Sequence, residues 1–311
     1  MSQPLFTGCF KREGKSQVIT VSMVREDKMV LGVRTENGIF DVEKAVAKIP
    51  EQTNIPRTVQ SLLKSGEQGR FALENLVKEL SGNQEFFLEE TAITFGPCVP
   101  DPEKIICVGL NYKQHADECQ MDYPETPILF SKFANALSGH QQDIKLPEKG
   151  TQFDYEAELV LVIGREAKNV SEEDALSYVY GYCNGNDLSV RDLQFKSTQW
   201  LLGKTTDGFC PTGPYLVSKD RIEDPDDLRV TLTLNGEVRQ NSNTSDMIFN
   251  CSQIISYISQ HMTLKPGDLI LTGTPEGVLM GMKEEEREWL KAGDVVTVEI
   301  EGLGALTNRF K

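Results

Sequence analysis

The sequence predicts an α+β fold built around one large mixed β-core. Short β-rich runs occur along most of the 311 residues, and helical patterns fall between them without a regular βαβ rhythm. Doubly wound sheets and TIM barrels need that rhythm, so the pattern argues against both. No stretch approaches the roughly 18 consecutive apolar residues of a membrane helix, so we expect no membrane span.

The first part of the chain differs in texture from the rest, and we expect a small α+β N-terminal domain over residues 1–98. Phe95–Pro102 contains three prolines, which remove hydrogen-bond donors and favour extended backbone, so this segment is predicted to be a linker. Alternating apolar and polar residues predict strands at Val18–Met23, Met29–Val33 and Gly38–Val42. Helical spacing predicts helices at Pro56–Leu63 and Phe71–Leu80.

Residues 99–311 form the second predicted domain, which is rich in strands. Asn235-Gly236 suits a type I′ hairpin turn, and the acidic residues after Ser171 suit the first turn of a helix. Strands are predicted at Ile105–Val108, Glu158–Ile163, Tyr215–Val217, Val230–Leu234, Leu269–Thr272 and Val295–Ile300. Helices are predicted at Asn111–Gln120, Ser171–Tyr180 and Asn250–Met262.

The charge balance limits the possible partners. There are 47 acidic against 32 basic residues, a net charge of −15, and the pI is about 4.8. Nucleic acids and anionic membranes both need basic surface, so neither is an expected partner. The seven cysteines are scattered without a CxxC pair, which argues against a disulfide framework or a zinc site. Met1–Phe10 lacks a secretion signal, so the predicted location is the cytoplasm.

Two glutamates at the start of a predicted strand are the first candidate site. Glu156 and Glu158 stand two residues apart, so in a strand they face the same side. Adjacent like charges beside a buried strand are costly unless a cation lies between them. A divalent metal would supply that cation. An exposed acidic strand start is the alternative, and the run alone does not exclude it.

A second polar segment extends this candidate site. Asp187 could complete a triad of carboxylates with Glu156 and Glu158, and Arg191 and Lys204 could balance the charge of an anionic substrate. Hard oxygen ligands without Cys or His select Mg²⁺, Mn²⁺ or Ca²⁺ over zinc.

A histidine and a glutamate on one predicted helix form the third candidate. His115 and Glu118 are three residues apart and therefore share a helix face. A carboxylate beside an imidazole fixes its tautomer and strengthens it as a base, although such a pair is also a common surface contact. Gly203-Lys204-Thr205 resembles the end of a phosphate-binding loop, but that loop needs glycine where Thr198 stands.

Taken in order, these segments resemble the fumarylacetoacetate hydrolase superfamily over about residues 99–311. The matching motifs are GLNYKQHADE (109–118), DYEAEL (154–159), NDLSVRDLQ (186–194), GKTTDGFCPTGP (203–214), SDMIF (245–249) and LKPGDLILTGTPEGV (264–278). The resemblance implies a mixed β-roll catalytic domain, a homodimer, and an N-terminal extension of the kind some members carry.

The resemblance also assigns roles to nine residues. It implies that Mg²⁺ or Mn²⁺, with Ca²⁺ as a non-native occupant, is held by Glu156, Glu158 and Asp187. The implied catalytic residues are His115, Glu118 and Lys204, and the implied substrate-binding residues are Arg191, Gln194 and Thr274. Leu279 stands where many relatives have glycine, so we expect it to narrow one wall of the pocket. Lys283–Trp289 is predicted to be a solvated helix.

The implied substrate is a small anionic 2-keto acid whose enolate the metal stabilises. Hydrolysis of a C–C bond in a 2,4-diketo acid of the acylpyruvate or fumarylpyruvate type ranks first. Decarboxylation of an oxaloacetate-type 2-keto acid and isomerisation of a 2-hydroxymuconate-type compound are the alternatives. A non-catalytic regulatory partner is weighed against these, and the full set of acidic and basic residues argues against it.

Overall fold

The computed structural model of the protein describes residues 18–49, 51 and 53–311. Met1–Phe10, on which the prediction of a cytoplasmic location rests, lies outside the described residues, as does Cys9. Within the described part, strands and short helices mix as the sequence predicts, and the α+β fold class is confirmed.

One large mixed sheet forms the centre of the molecule. Its strands run in the order β4-β3-β2-β1-β13-β11-β10-β16-β5-β6, and β7 joins alongside β13. The strands are β1 (Ile19–Arg25), β2 (Lys28–Thr35), β3 (Gly38–Asp41), β4 (Phe87–Leu88), β5 (Ile105–Gly109), β6 (Ile128–Lys132), β7 (Leu137–Ser138), β10 (Ala157–Ile163), β11 (Val179–Asn186), β13 (Cys210–Ser218) and β16 (Leu269–Leu271).

A five-stranded sheet and a short two-stranded ladder complete the β-structure among the described residues. The five-stranded sheet has the order β15-β14-β17-β18-β8, and β9 pairs with β12. These strands are β8 (Asp143–Ile144), β9 (Phe153–Asp154), β12 (Ser189–Val190), β14 (Arg229–Leu234), β15 (Glu237–Asn243), β17 (Val295–Ile300) and β18 (Ala305–Phe310). The Asn235-Gly236 hairpin joins β14 to β15 as predicted.

Seven α-helices pack around the sheets in the described part of the chain. They are α1 (Val42–Val46), α2 (Val59–Leu80), α3 (Lys113–Glu118), α4 (Glu172–Ala175), α5 (Arg191–Gln194), α6 (Leu201–Lys204) and α7 (Cys251–His261). The two helices predicted in the N-terminal region are one element, α2, interrupted at Gly66, where φ is 58°. No described helix combines the length and the apolar composition that crossing a bilayer requires.

The N-terminal strands continue the large sheet without a break. Ile19 and Thr20 pair with Val217 and Leu216, so β1 hydrogen-bonds directly to β13. The proposed division into residues 1–98 and 99–311 therefore stays a prediction, with one sheet running across it.

One predicted helix is slightly shorter than expected, and another is wrong. The helix expected over Ser171–Tyr180 is confirmed over Glu172–Tyr178, where an α-helical turn at Glu172–Ala175 continues into a 3₁₀ turn at Leu176–Tyr178. It ends there because Val179–Asn186 pairs on both edges as β11, between β10 and β13. The solvated helix expected at Lys283–Trp289 is one 3₁₀ turn at Glu284–Glu286. Arg287 donates to the carbonyls of Met280 and Met282, and Trp289 packs against the hydrophobic core, so these contacts hold the segment in a non-helical path.

Candidate active site

The three predicted carboxylates converge at the point where two central strands meet. Ala157 at the start of β10 pairs with Asn186 at the end of β11, which places Glu156 and Glu158 beside Asp187. The backbone N–H of Asp187 donates to the carbonyl of Glu156 at 2.9 Å. All three side chains are buried, and they offer oxygens that lie within 4.8 Å of one another.

Buried cations neutralise two of these carboxylates. The Lys204 ammonium donates to Glu156 at 2.6 Å and to Asp187 at 2.9 Å, and the Arg191 guanidinium lies 2.6 Å from the other oxygen of Glu156. Lys132, which the sequence leaves unassigned, donates to Asp187 and to the carbonyl of Leu188. Glu158 instead accepts the backbone N–H of Gly273 at 2.7 Å.

The two glutamates consequently have opposite protonation behaviour. Burial disfavours the charged form of Glu156, but the charges of Lys204 and Arg191 outweigh it and lower its pKa to about 2. Burial and the charges of Asp187 and Glu156 raise the pKa of Glu158 well above its usual range. Glu158 therefore tends to keep its proton, because the negative charges of its neighbours oppose its ionisation.

The charge count shows that the site fits a divalent cation. Glu156, Glu158, Asp187 and the neighbouring Asp154 carry four negative charges when ionised. The buried side chains of Lys132, Lys204 and Arg191 carry three positive charges. The net charge of the cluster is therefore −1. A proton on Glu158 restores neutrality, and a divalent cation would replace that proton and leave +1. An anionic substrate then meets a positive site, and the donors are the oxygens that Mg²⁺ and Mn²⁺ prefer.

Asp154 is a site residue that the sequence analysis missed. Its fully buried carboxylate accepts from Arg191 Nε at 2.9 Å and from the backbone N–H groups of Leu279 and Met280 at 2.9 and 3.0 Å. It therefore fixes the arginine and the loop that follows β16 in one geometry. The residue stands two positions before Glu156 in the acidic run, and that spacing was the available signal.

His115 and Glu118 form the predicted pair on α3. His115 Nδ1 lies 2.8 Å from one oxygen of Glu118, and the other oxygen accepts the backbone N–H of Gly277 at 3.0 Å. Both oxygens of Glu118 therefore have hydrogen-bond partners. The imidazole is held through Nδ1, and Nε2 is the nitrogen that stays available for chemistry. Burial lowers the pKa of His115, but hydrogen bonds with Cys119 and Glu118 outweigh it and raise the pKa to about 9.

A small cavity joins these groups. It has a volume of about 40 Å³, and we call it the inner cavity. Seven of the nine predicted site residues line it: His115, Glu156, Glu158, Arg191, Gln194, Lys204 and Thr274. Asp187 and Glu118 stand directly behind this wall, in contact with Lys204 and His115.

The predicted substrate-binding side chains have free hydrogen-bond capacity. Arg191 Nη1 donates to the amide oxygen of Gln194 at 2.9 Å, which orients the Gln194 amide nitrogen as a remaining donor. Gln240 donates to the Thr274 hydroxyl oxygen at 2.9 Å, so that hydroxyl keeps its own hydrogen to donate. Gln240 was missed because its role depends on a contact 34 residues away. The roles of all nine residues stay predictions.

Leu279 does not narrow the pocket as expected. Its side chain is buried in the hydrophobic core, and Met280 is the residue of this loop that lines the inner cavity. In the 3₁₀ turn at Leu279–Gly281, successive side chains point in different directions. Leu279, which is larger than glycine, therefore packs away from the pocket.

Comparison with known proteins is consistent with this geometry. The model of the fumarylacetoacetate (FAA) hydrolase C-terminal domain matches residues 104–311. The chain is 43% identical over 305 residues to the fumarylacetoacetate hydrolase domain-containing protein 2 homolog of Dictyostelium discoideum, covering 94% of this chain and 96% of that protein. It is 46% identical over 244 residues to the mitochondrial oxaloacetate tautomerase fahd2 of Xenopus laevis, covering 78% and 76%.

A solved structure shows the same fold. The fumarylpyruvate hydrolase of Pseudomonas aeruginosa, determined in complex with Mn²⁺ and pyruvate, superposes with a TM-score of 0.62 at 32% identity. The match covers 70% of this chain and 91% of that one. These matches and the domain model establish that the chain belongs to the fumarylacetoacetate hydrolase superfamily.

Proposed function

We propose that this protein is a metal-dependent oxaloacetate tautomerase, which interconverts the enol and keto forms of a four-carbon 2-keto acid. The observation that carries the proposal is His115, fixed by Glu118 in the wall of the same small cavity as the carboxylate triad. The 46% identity to a protein named oxaloacetate tautomerase supports the choice of substrate.

The chemistry needs only one proton relocation. Ketonisation breaks the enol O–H bond and forms a C–H bond at C3, with no atom gained or lost. A divalent cation on the three carboxylates would supply Lewis-acid stabilisation of the enolate oxygen. His115 exchanges a proton at C3 through Nε2, since Nδ1 is bonded to Glu118. A positioned acid or base of this kind contributes about 10²–10⁴-fold to a rate.

The remaining residues bind and orient the substrate. Arg191 is held by Asp154 and Glu156, and with the free amide of Gln194 it provides donors for a carboxylate. Thr274 offers a hydroxyl hydrogen from the opposite loop. Lys204 is bound to Glu156 and Asp187, so it orients the carboxylate cluster and balances its charge.

Hydrolysis of a 2,4-diketo acid, which the sequence analysis ranked first, is the second candidate. One observation favours it: Glu118 also lines a wider cavity of about 460 Å³, through which a water molecule could reach the His115–Glu118 pair. Against this, both oxygens of Glu118 already accept hydrogen bonds, so Glu118 is arranged to orient His115 rather than to activate water.

A panel of three reactions distinguishes these candidates. The protein is treated with EDTA, then restored with Mg²⁺ or Mn²⁺, and each form is assayed against metal-only blanks. Decay of the enol absorbance of oxaloacetate reports tautomerisation, pyruvate formation from oxaloacetate reports decarboxylation, and loss of acetylpyruvate reports hydrolysis. We expect metal-restored tautomerisation to be the fastest. Loss of acetylpyruvate alone would overturn the proposal in favour of the hydrolase.

Assembly and location are proposed separately. We propose a homodimer, which sedimentation of the purified protein tests directly. The cytoplasmic location stays a prediction, and the Xenopus relative is named as mitochondrial. Imaging of the tagged chain in its own cells decides between the two.

A further inference from the structure

Three side chains of different chemistry meet on one turn of α3. His115, Glu118 and Cys119 occupy positions i, i+3 and i+4, which share a helix face. The distance from His115 Nδ1 to the Glu118 oxygen is 2.8 Å, and the distance from that nitrogen to Cys119 Sγ is 3.9 Å. One ligand atom from each residue lies within 4.8 Å of the others.

We propose that these three residues form a second metal site, which binds Zn²⁺ and inhibits the enzyme. Imidazole nitrogen, thiolate sulfur and carboxylate oxygen are the ligands that zinc takes in proteins. Neutral His115 with ionised Glu118 and Cys119 contributes two negative charges, which a divalent zinc ion balances. The carboxylate triad contains oxygen donors only, so the two sites differ in the metals they prefer.

The observed distances are close to those that tetrahedral zinc requires. Zn–S bonds of about 2.3 Å and Zn–N bonds of about 2.05 Å at tetrahedral angles separate sulfur and nitrogen by about 3.6 Å. The observed 3.9 Å needs a movement of a few tenths of an ångström. Nitrogen and oxygen would separate by about 3.4 Å, so the present 2.8 Å contact opens as zinc replaces the proton between them.

The surroundings supply a support for the ligands and a route of entry. The second oxygen of Glu118 accepts the Gly277 N–H at 3.0 Å, which holds the carboxylate in place. Glu118 and Cys119 both line the cavity of about 460 Å³, which shares Met121, Phe195 and Met280 with the inner cavity. Water from this cavity can occupy the fourth zinc position.

Zinc at this position would stop the proton transfer assigned to His115. Binding releases the Nδ1 proton and the Cys119 thiol proton to solvent, and it leaves Nε2 carrying its hydrogen. An imidazole fixed in that form cannot accept a proton from C3 at Nε2, and it cannot donate the hydrogen it holds to C3 without becoming imidazolate, so proton exchange stops in both directions. Binding of zinc is independent of the proposed function, whereas the inhibition rests on it.

The test uses the full-length protein with its first site saturated by excess Mg²⁺. Zinc binding is measured by equilibrium dialysis, and Co²⁺ is used as a spectroscopic probe for the thiolate-to-metal absorption band. The variant is Cys119→Ser, which removes the soft ligand at nearly constant size. The control is Asp117→Asn, which removes an exposed carboxylate from the same helix.

We expect one zinc ion per chain in the wild type and in Asp117→Asn, with a thiolate–cobalt band in both. Cys119→Ser should bind zinc at least about tenfold more weakly and lose the band. Zinc should inhibit the wild type more strongly than Cys119→Ser at equal Mg²⁺. Equal binding by Cys119→Ser, or no thiolate band, would overturn the site. Binding without inhibition would instead contradict the role given to His115.

Discussion

The two glutamates of the carboxylate triad should respond in opposite ways to the same substitution. Glu156→Gln removes a carboxylate that Lys204 and Arg191 bind at 2.6 Å, whereas Glu158→Gln removes one whose nearest charges are other carboxylates. Glutamine has nearly the same shape in both places. A difference in stability between the variants therefore reports the charge environment.

The structure gives the magnitude for Glu156. A pKa of about 2 against the ordinary 4.5 corresponds to about 3 kcal/mol of stability at neutral pH, and breaking a buried pair costs about 3–5 kcal/mol. This contribution is present above pH 4.5 and is lost as the pH falls toward 2. Glu156→Gln should therefore lower the free energy of unfolding by about 3 kcal/mol at pH 7.

Ionisation of Glu158 affects the free energy of unfolding with the opposite sign. Two carboxylate oxygens within 4.8 Å each oppose its ionisation by about 3.5 kcal/mol at an effective dielectric constant of about 20, which the nearby lysines partly offset. Because its pKa is raised, its contribution is present below the unfolded pKa and is lost as the pH rises through the folded value. Glu158→Gln should leave the EDTA-treated protein as stable as the wild type, or more stable, at pH 8.

Urea denaturation followed by the fluorescence of Trp200 and Trp289 measures both effects at pH 5.5, 7 and 8. With Mg²⁺ at 100 times its Kd, the wild type should gain about 2.7 kcal/mol, and neither variant should gain as much. Equal destabilisation of the EDTA-treated protein by the two substitutions would refute the charge assignment.

Three further substitutions test the supporting residues. Asp154→Asn breaks the buried pair with Arg191, so urea denaturation should show a loss of about 3–5 kcal/mol, and an unchanged midpoint would contradict the pairing. His115→Asn should lower the tautomerisation kcat by at least about 10²-fold while metal content by elemental analysis stays at the wild-type level; loss of metal would mean that its role is misassigned. Glu118→Gln should retain more activity than His115→Asn, because the imidazole stays in the cavity wall and the glutamine oxygen can still accept from either His115 or Gly277. An equal loss in both variants would give Glu118 a direct chemical role.

Local sequence patterns predicted the elements whose partners are close in the chain. The Glu156–Glu158 spacing and the strand behind it follow from the two-residue period of a strand, and the i,i+3 pair on α3 follows from helix geometry. The helix expected up to Tyr180 ends at Tyr178, because the pairing of β11 on both edges, which only the sheet order determines, overrides local helix signals.

Two of the missed site residues, Lys132 and Gln240, depend on long-range contacts. Lys132 meets Asp187 from a strand 55 positions earlier, and Gln240 reaches Thr274 from a different sheet. From the sequence alone, Lys132 resembles an ordinary lysine at the end of a strand, and Gln240 resembles a surface glutamine. Only the pairing of β5 with β6 and the packing of the two sheets bring them into contact with Asp187 and Thr274.

The rate at which enol-oxaloacetate becomes the keto form tests the proposed tautomerase activity directly. The rate is measured for the wild type with Mg²⁺, the EDTA-treated wild type, Glu158→Gln and His115→Asn, each against a protein-free blank. We expect acceleration only for the wild type with Mg²⁺, with no more than about 1% of it in the other three. Acceleration that persists without metal and without His115 would contradict the account.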